Sequence, residues 1–221
     1  VTKISPILTG RPASSSLTFK NGQQSSSIPF RGHKWSALDG GNRVPCIINW
    51  PGVIPAGRQI DALVSAMDIL PTLSRACGID WAGKSQGKPK IDGLDSWDTL
   101  LGKSAEHPRK ELLLWHGMDA EPQAIRVGEW KLFFDRRHAL KGSGAEAATP
   151  EQTARIQPYL DALKPDVAGT PFLIHMTDDI GELNDRSHEF PDKVKSLQDR
   201  AEALITEIRA LPILPITTPQ P

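Results

Sequence analysis

The stretch on which the fold turns is Arg43-Val44-Pro45-Cys46-Ile47-Ile48-Asn49-Trp50. From Val44 onward it is nearly all apolar and is bounded by Pro and Gly, the pattern of a strand buried on both faces of a sheet. An α/β layer is therefore favoured over an all-β sandwich. Downstream, Ala62-Leu63-Val64-Ser65 reads as a further short strand, and Asp68 caps a helix whose apolar positions Leu70, Leu73 and Cys77 follow helical spacing. Pro71 falls in the first turn of that helix, where a missing N–H costs little, and Gly78 supplies its stop. Upstream, residues 1–30 are Ser-rich with little periodicity; residues 1–16 are expected to be poorly ordered, and Leu17-Thr18-Phe19 reads as a strand tip.

The second half has a different grammar. Leu112-Leu113-Leu114-Trp115, Ala124-Ile125-Arg126-Val127 and Trp130-Lys131-Leu132-Phe133-Phe134 read as consecutive strands, the last two joined by a tight turn at Gly128-Glu129. A capping box at Thr149-Pro150-Glu151-Gln152 starts a short helix inside a surface insertion over about 138–170. Residues 172–176 form another strand candidate. Residues 191–210 form the best helix, with Val194, Leu197, Ala201, Leu204, Ile205, Ile208 and Leu211 recurring at three and four. An antiparallel sheet covered by one terminal helix is the simplest assembly of this half. The expected organisation is 1–105 as the end of an α/β domain and 106–221 as a small α+β subdomain.

Composition narrows the function. The chain has 221 residues, 26 basic and 26 acidic, and 38% hydrophobic residues, enough for a real core and without a like-charge run for a nucleic-acid backbone. No stretch approaches the roughly 20 apolar residues of a spanning helix. Two cysteines, Cys46 and Cys77, allow at most one disulfide and lack zinc-site spacing. A first residue of Val1 points to a chain processed or taken from a longer one.

Residues 31–58 carry a resemblance. Gly32-His33-Lys34, Asp39-Gly40-Gly41, Asn42-Arg43-Val44-Pro45 and Trp50-Pro51-Gly52 closely resemble the middle-to-late segment of the sulfatases, sulfate-ester hydrolases of the alkaline-phosphatase-like superfamily. The likeness continues in order through Asp68-Ile69-Leu70-Pro71-Thr72, Asp92-Gly93-Leu94-Asp95, Ala124-Ile125-Arg126-Val127-Gly128-Glu129-Trp130-Lys131-Leu132, and Asp178-Asp179-Ile180-Gly181-Glu182-Leu183-Asn184-Asp185. These blocks cover about 18–210. The resemblance implies the C-terminal part of an alkaline-phosphatase-like α/β sandwich followed by a small antiparallel sheet on a C-terminal helix.

It also implies roles. Lys34 matches a lysine that contacts the sulfate group, a task suited to a compact ammonium. His33 beside it and His116 after Trp115 are substrate-cleft candidates, each weighed against plain loop packing. Gly40, Gly41 and Arg43 are expected to be scaffold, serving a tight turn and a buried pairing after Lys34. The family's calcium site uses an Asp-Asn-Gly; here Asn21-Gly22 match, but Lys20 stands at the aspartate, removing a hard oxygen ligand and adding repulsion. In the family the Cys/Ser-x-Pro-x-Arg signature that yields formylglycine lies upstream of the Asp-Asn-Gly; the residues before Asn21-Gly22 do not carry it, so the chain alone is expected to be inactive. The expected substrate is a small-molecule or carbohydrate sulfate ester, and export is implied for the parent. The competing readings are a phosphoester or phosphonate hydrolase of the same superfamily and a non-catalytic homologue or binding fragment.

Overall fold

The computed structural model describes residues 2–4, 30–32, 36–79, 91–115, 121–140 and 169–211. Two compact units divide the chain, one comprising Val1–Gln23 and Arg43–Leu112 and the other Gln24–Asn42 and Leu113–Pro221.

In the second unit, period-two alternation builds a four-stranded sheet in the order β3-β4-β5-β6, from β3 (Glu111–Trp115), β4 (Pro122–Val127), β5 (Trp130–Phe133) and β6 (Phe172–His175). Strands β4 and β5 pair antiparallel with Ile125 opposite Leu132 and Val127 opposite Trp130, and β5 pairs with β6 with Leu132 opposite Leu173. Gly128, at φ +56°, supplies the positive φ that a two-residue hairpin turn asks of its first central residue. One sheet face presents Leu113, Ile125, Leu132 and Leu173 to Val194, Leu197 and Ala201 of the terminal helix, with Trp130, Leu204 and Ile205 half-buried around them. That helix spans Pro191–Arg209 with Pro191 in its first turn, as the three-and-four spacing predicts. Ile208 near its end and Leu211 just beyond it are exposed. The register places Ala124, Arg126, Lys131, Phe133, Phe172 and Ile174 on the opposite face, where all but Arg126 are buried.

The first unit differs from expectation at three points. The apolar run at 44–50 forms only β2 (Cys46–Ile48), paired antiparallel with β1 (Thr2–Ile4), and Val44 and Ile47 are 77% and 63% exposed rather than buried on both faces. Residues 62–65 are not a strand. Ser65 instead opens a 3-10 turn, Ala66–Asp68, by a capping box in which its hydroxyl accepts from Met67 N while Asp68 accepts from Ser65 N. The helix that follows, Ile69–Ala76, has its polarity inverted. Ile69, Leu70 and Leu73 are each about half exposed, while Thr72 and Ser74 are buried. Local bonding explains the inversion: Thr72 Oγ1 donates to Asp68 O at 2.6 Å and accepts from Ser96 N at 2.9 Å. A second short helix, Trp97–Leu101, stops at Gly102 (φ +77°), and Arg58 Nη1 donates to its carbonyls at Thr99 and Leu100.

The strand tip at 17–19, the capping box at 149–152 and most of the 138–170 insertion lie outside the described residues; of the last, Arg136–Leu140 is a short helix at its start. No helix among the described residues is long and apolar enough to cross a membrane.

Candidate functional site

The segment from Arg31 to Asn42, within the second unit, is built around two glycines. Gly32 has φ +86°, and a Cβ there would meet Leu38 Cβ and Ser36 Oγ at 2.6 Å. A Cβ on Gly40 would meet Gly32 O at 2.4 Å and Arg31 O at 2.5 Å. The two ends of the loop therefore touch backbone to backbone, and Gly40 N donates to Arg31 O at 2.8 Å to close it. Ser36, Ala37 and Leu38 are buried, and one helical turn, Asp39–Asn42, follows. Asn42 Nδ2 ties that turn back by donating to Ser36 O (2.8 Å) and Leu38 O (3.0 Å).

Charged side chains hold both ends from below. The buried Arg31 guanidinium donates to three carbonyls, Ala139 O (2.8 Å), Gly181 O (3.1 Å) and Glu182 O (2.5 Å). At the other end Asp39 N donates to Glu182 Oε2 at 2.7 Å. Lys131 Nζ, fully buried on β5, lies 2.6 Å from Glu182 Oε1 and 3.0 Å from Asp39 Oδ1. Arg126 Nη1 stands 3.8 Å from Asp39 Oδ2. Burial pushes the Glu182 carboxyl up, Lys131 opposes that, and the like charge of Asp39 adds to it. Burial likewise lowers Arg31, against the pull of Glu182 and Asp179. Both carboxylates are engaged by buried cations, which leaves neither free to act as a general base.

Glu182 reaches this place through its own turn. Asp179 Oδ2 accepts from Leu183 N and Asn184 N, both at 2.6 Å, and Glu182 sits in the turn at φ +57°. Asp185 then anchors the turn to β6 by accepting from Leu173 N at 3.2 Å and pairing with Arg136.

Of the residues singled out by sequence, His33 and Lys34 lie between the fixed positions Gly32 and Ser36, outside the described residues, as do His116, Lys20 and Asn21. What the described residues assemble is the frame on either side of Lys34. The scaffold role read for Gly40 is observed. Asp39, Lys131 and Glu182 form a buried pairing there, and Arg43 is half-buried. Lys131 and Glu182 had escaped sequence reading as site residues. The available signal was strand alternation: Lys131 shares a face with Phe133, and a lysine on an apolar strand face needs a carboxylate.

The first unit holds a Ser–His pair that invites comparison with a nucleophilic dyad. Ser96 Oγ is 2.5 Å from His107 Nε2, but Arg109 N donates to His107 Nδ1 at 3.0 Å. An Nδ1 that accepts puts the proton on Nε2, so the ring donates to Ser96 and has no lone pair with which to activate it. Burial lowers the His107 pKa and keeps the ring neutral. Asp68 is likewise spent: it accepts from Ser65 N, Leu94 N and, in a buried ion pair, Arg109. Its side chain makes no cap bond to the helix at 69–76, contrary to expectation: it reaches back to Ser65 N as the partner in that residue's capping box.

Among the described tryptophans, Trp50 packs against Trp97 at 5.7 Å and Trp130 against Phe190 at 5.0 Å. Cys46 and Cys77 are free thiols. Among the described residues no group of three His, Cys, Asp or Glu side chains could hold a metal. The donor chemistry of Lys20-Asn21, an ammonium beside an amide, does not fit calcium either.

Comparison with known proteins places these features. The family model described as Sulfatase matches residues 20–79. Mouse (Mus musculus) steryl-sulfatase is 30% identical over 186 residues, covering 82% of this chain and 28% of the relative. Rat (Rattus norvegicus) arylsulfatase G is 30% identical over 141 residues, covering 61% of this chain and 25% of that protein. Among solved structures, the PsFucS1 sulfatase from Pseudoalteromonas sp. superposes with a TM-score of 0.60 at 21% identity, over 82% of this chain and 33% of its own. Ps i-CgsB in complex with k-i-k-neocarrahexaose superposes at 0.55 and 22% identity, over 81% and 32%. The chain thus spans about a quarter to a third of the length of these proteins.

Proposed function

Because the chain belongs to the sulfatase family, whose α/β fold it shares, we propose that it is the C-terminal part of a sulfuric ester hydrolase and that Lys34 contributes the ammonium contacting the sulfate group. One observation carries the reading: the loop bearing Lys34 is pinned at both ends by buried charge, with Arg31 and Asp39 both held by Glu182. A frame of buried charge at the flanking positions is costly, and such a cost is repaid where a nearby side chain must meet a ligand in fixed geometry. An ammonium there neutralises sulfuryl oxygens without itself transferring a proton. His33 and His116 remain cleft candidates on the same reading. The carbohydrate class of substrate is supported by the hexaose complex of a structural neighbour, and an aryl sulfate is the alternative. Export of the parent protein is part of the proposal.

Calcium is the family's expected cation, and Lys20 beside Asn21 does not fit it, so no step is routed through a metal. Formylglycine would arise from a signature upstream of the Asp-Asn-Gly position, which the residues before Asn21 do not carry, and the chain alone is expected to turn nothing over. Incubation of the purified chain with 4-nitrophenyl sulfate is expected to release no 4-nitrophenol; release that disappears in Lys34→Ala would overturn the inactivity. Titration with inorganic sulfate, followed by the side-chain NMR signals of Lys34, is expected to give a saturable shift. An unresponsive Lys34 would refute the sulfate-contact role. Lys20 favours one second reading, a non-catalytic homologue that binds sulfated ligands, and Lys20→Asp followed by calcium titration separates the two: calcium binding gained only in the variant marks a lost site.

A further inference from the structure

We propose that the apolar cleft between β2 and the helix at 69–76, with the exposed stripe beside it, is where the upstream part of the parent protein packs, a large apolar side chain of that part filling the cleft; this rests on the reading that the chain is the C-terminal part of a sulfuric ester hydrolase. The cleft lies wholly within the first unit, has a volume of about 60 Å³ and is walled by Cys46, Ile48, Ile60, Ile69, Leu73 and Leu100. Polar side chains border it too, and each is already engaged. Thr72 Oγ1 is shared between Asp68 O and Ser96 N, Ser96 Oγ meets His107 Nε2, His107 Nδ1 accepts from Arg109 N, and the Asp68 carboxylate holds Arg109. With those groups turned to one another, what the cleft offers an occupant is hydrocarbon.

The open side of the cleft continues onto the helix. Leu73 lies four residues from Ile69 and three from Leu70, so the three share one face, and each is about half exposed. The bonds of Thr72 hold the polar face inward, so the helix cannot roll to hide that stripe within the unit. Strand β2 shows the same want of cover: Cys46 and Ile48 are half-buried at the cleft, while Ile47 on the other face is exposed, although its composition is that of a strand covered on both faces. Of the fourteen large apolar residues exposed among the described residues, ten belong to the first unit, a concentration that marks an interaction surface rather than ordinary scatter. Length argues for the partner. The chain covers 28% of mouse steryl-sulfatase and 33% of the PsFucS1 sulfatase, so most of each has no counterpart in it, and the family model match at 20–79 contains this face. A free hydrocarbon ligand would fill the cleft and leave the stripe and Ile47 bare, whereas a packed layer of the same protein covers them together.

The test compares the full-length parent with the 221-residue chain. Alkylation of the native proteins by iodoacetamide, read by mass spectrometry on the peptide holding Cys46, is expected to run about tenfold or more slower in the parent, since a filled cleft must open before the thiol reacts. Leu73→Glu places a charge on the stripe. It is expected to lower the urea midpoint of the parent and to raise its Cys46 alkylation toward that of the chain, while leaving the midpoint of the chain within the range of a surface substitution. Ile208→Glu, at comparable exposure near the end of the other helix, shares any dipole penalty and is expected to do neither. If the chain alone does not stay in solution, the comparison of Leu73→Glu with Ile208→Glu in the parent decides. Equal Cys46 alkylation in parent and chain, with Leu73→Glu no worse than Ile208→Glu in the parent, overturns the docking surface and leaves the C-terminal reading standing. Cys46 already protected in the chain, in a sedimenting dimer that Leu73→Glu dissolves, assigns the face to a second copy and overturns the upstream partner. A reading frame through Val1 that encodes no sulfatase sequence upstream overturns the C-terminal reading and this inference with it.

Discussion

Replacing Asp68 by Asn changes one oxygen to an amide and leaves the shape intact, yet it should be among the most damaging single substitutions in the first unit. Every partner of that carboxylate is a donor: Ser65 N at 2.9 Å, Leu94 N at 2.8 Å, Arg109 Nε at 2.9 Å and Arg109 Nη2 at 2.5 Å. Whichever way the new NH2 points, it faces another N–H, and Arg109, only 9% exposed, loses its counter-charge. Removing one partner of a buried pair costs roughly 3–5 kcal/mol, whereas an exposed pair is worth about 0–1 kcal/mol. With a urea slope of about 2 kcal/mol per M, a loss near 4 kcal/mol lowers the midpoint by about 2 M. Tryptophan fluorescence during urea unfolding measures this, with Asp98→Asn as the comparison, since Asp98 pairs with Arg75 at the surface. Hydrogen exchange at Leu94 N and Ser65 N should quicken selectively in Asp68→Asn. A midpoint shift no larger than that of Asp98→Asn would refute the reasoning. The acid limb follows with its sign. Burial pushes the Asp68 carboxyl up, but Arg109 and the Leu94 and Ser65 amides outweigh it and hold it below 3.8. Its stabilisation is therefore complete above the unfolded value near 3.8 and fades as pH falls through the lower folded value.

Burial depresses the His107 pKa below 6.5, so the unfolded chain protonates first and stability falls as pH drops below that value, by at most about 1.4 kcal/mol per pH unit. His107→Gln offers an acceptor to Arg109 N and a donor to Ser96 without titrating, and urea midpoints taken from pH 7.5 to 5 (about the range in which histidine changes charge) should flatten; an unchanged slope would contradict it. Gly40→Ala drives a methyl group against Gly32 O and Arg31 O, and thermal unfolding should report a loss of about 1–3 kcal/mol in the second unit; Gly52→Ala, with nothing within 4 Å of its added Cβ, isolates the cost of positive φ alone. Leu197→Ala opens the core between the terminal helix and the sheet and should cost roughly 2–5 kcal/mol by urea unfolding, with a value under about 1 kcal/mol showing that the helix is loosely docked.

Local pattern sufficed where each element buries one face against a partner within the chain. The hairpin at 122–133 and the helix at 191–209 read directly from sequence because Ile125, Leu132, Val194, Leu197 and Ala201 meet one another in a single core. Pattern failed where apolar residues do not meet. Val44 and Ile47 have strand composition, but among the described residues nothing covers them. The run at 62–65 had the composition of a strand, yet Ser65 bonds to the turn that follows it rather than to a neighbouring strand. Around the candidate site, the glycine pattern was legible from the family likeness, whereas the Lys131 and Glu182 partnership was not. Their partnership joins β5 to a turn 51 positions away, and only the fold brings those positions together.

Each unit solves the same problem at its centre. In the first, Arg109 holds Asp68, whose oxygens then accept from Ser65 N and Leu94 N; in the second, Lys131 holds Glu182, whose other oxygen accepts from Asp39 N. A buried cation orients a carboxylate, and the carboxylate fixes the backbone where a loop begins or ends. What separates the two is what the fixed loop carries. The Asp68 hub explains why the helix at 69–76 turns Thr72 inward and leaves Leu70 and Leu73 half exposed: its polar face is already committed to Asp68 O and Ser96 N. Breaking that hub should cost stability and nothing else. The Glu182 hub fixes Arg31 and Asp39, the described positions on either side of residues 33–35.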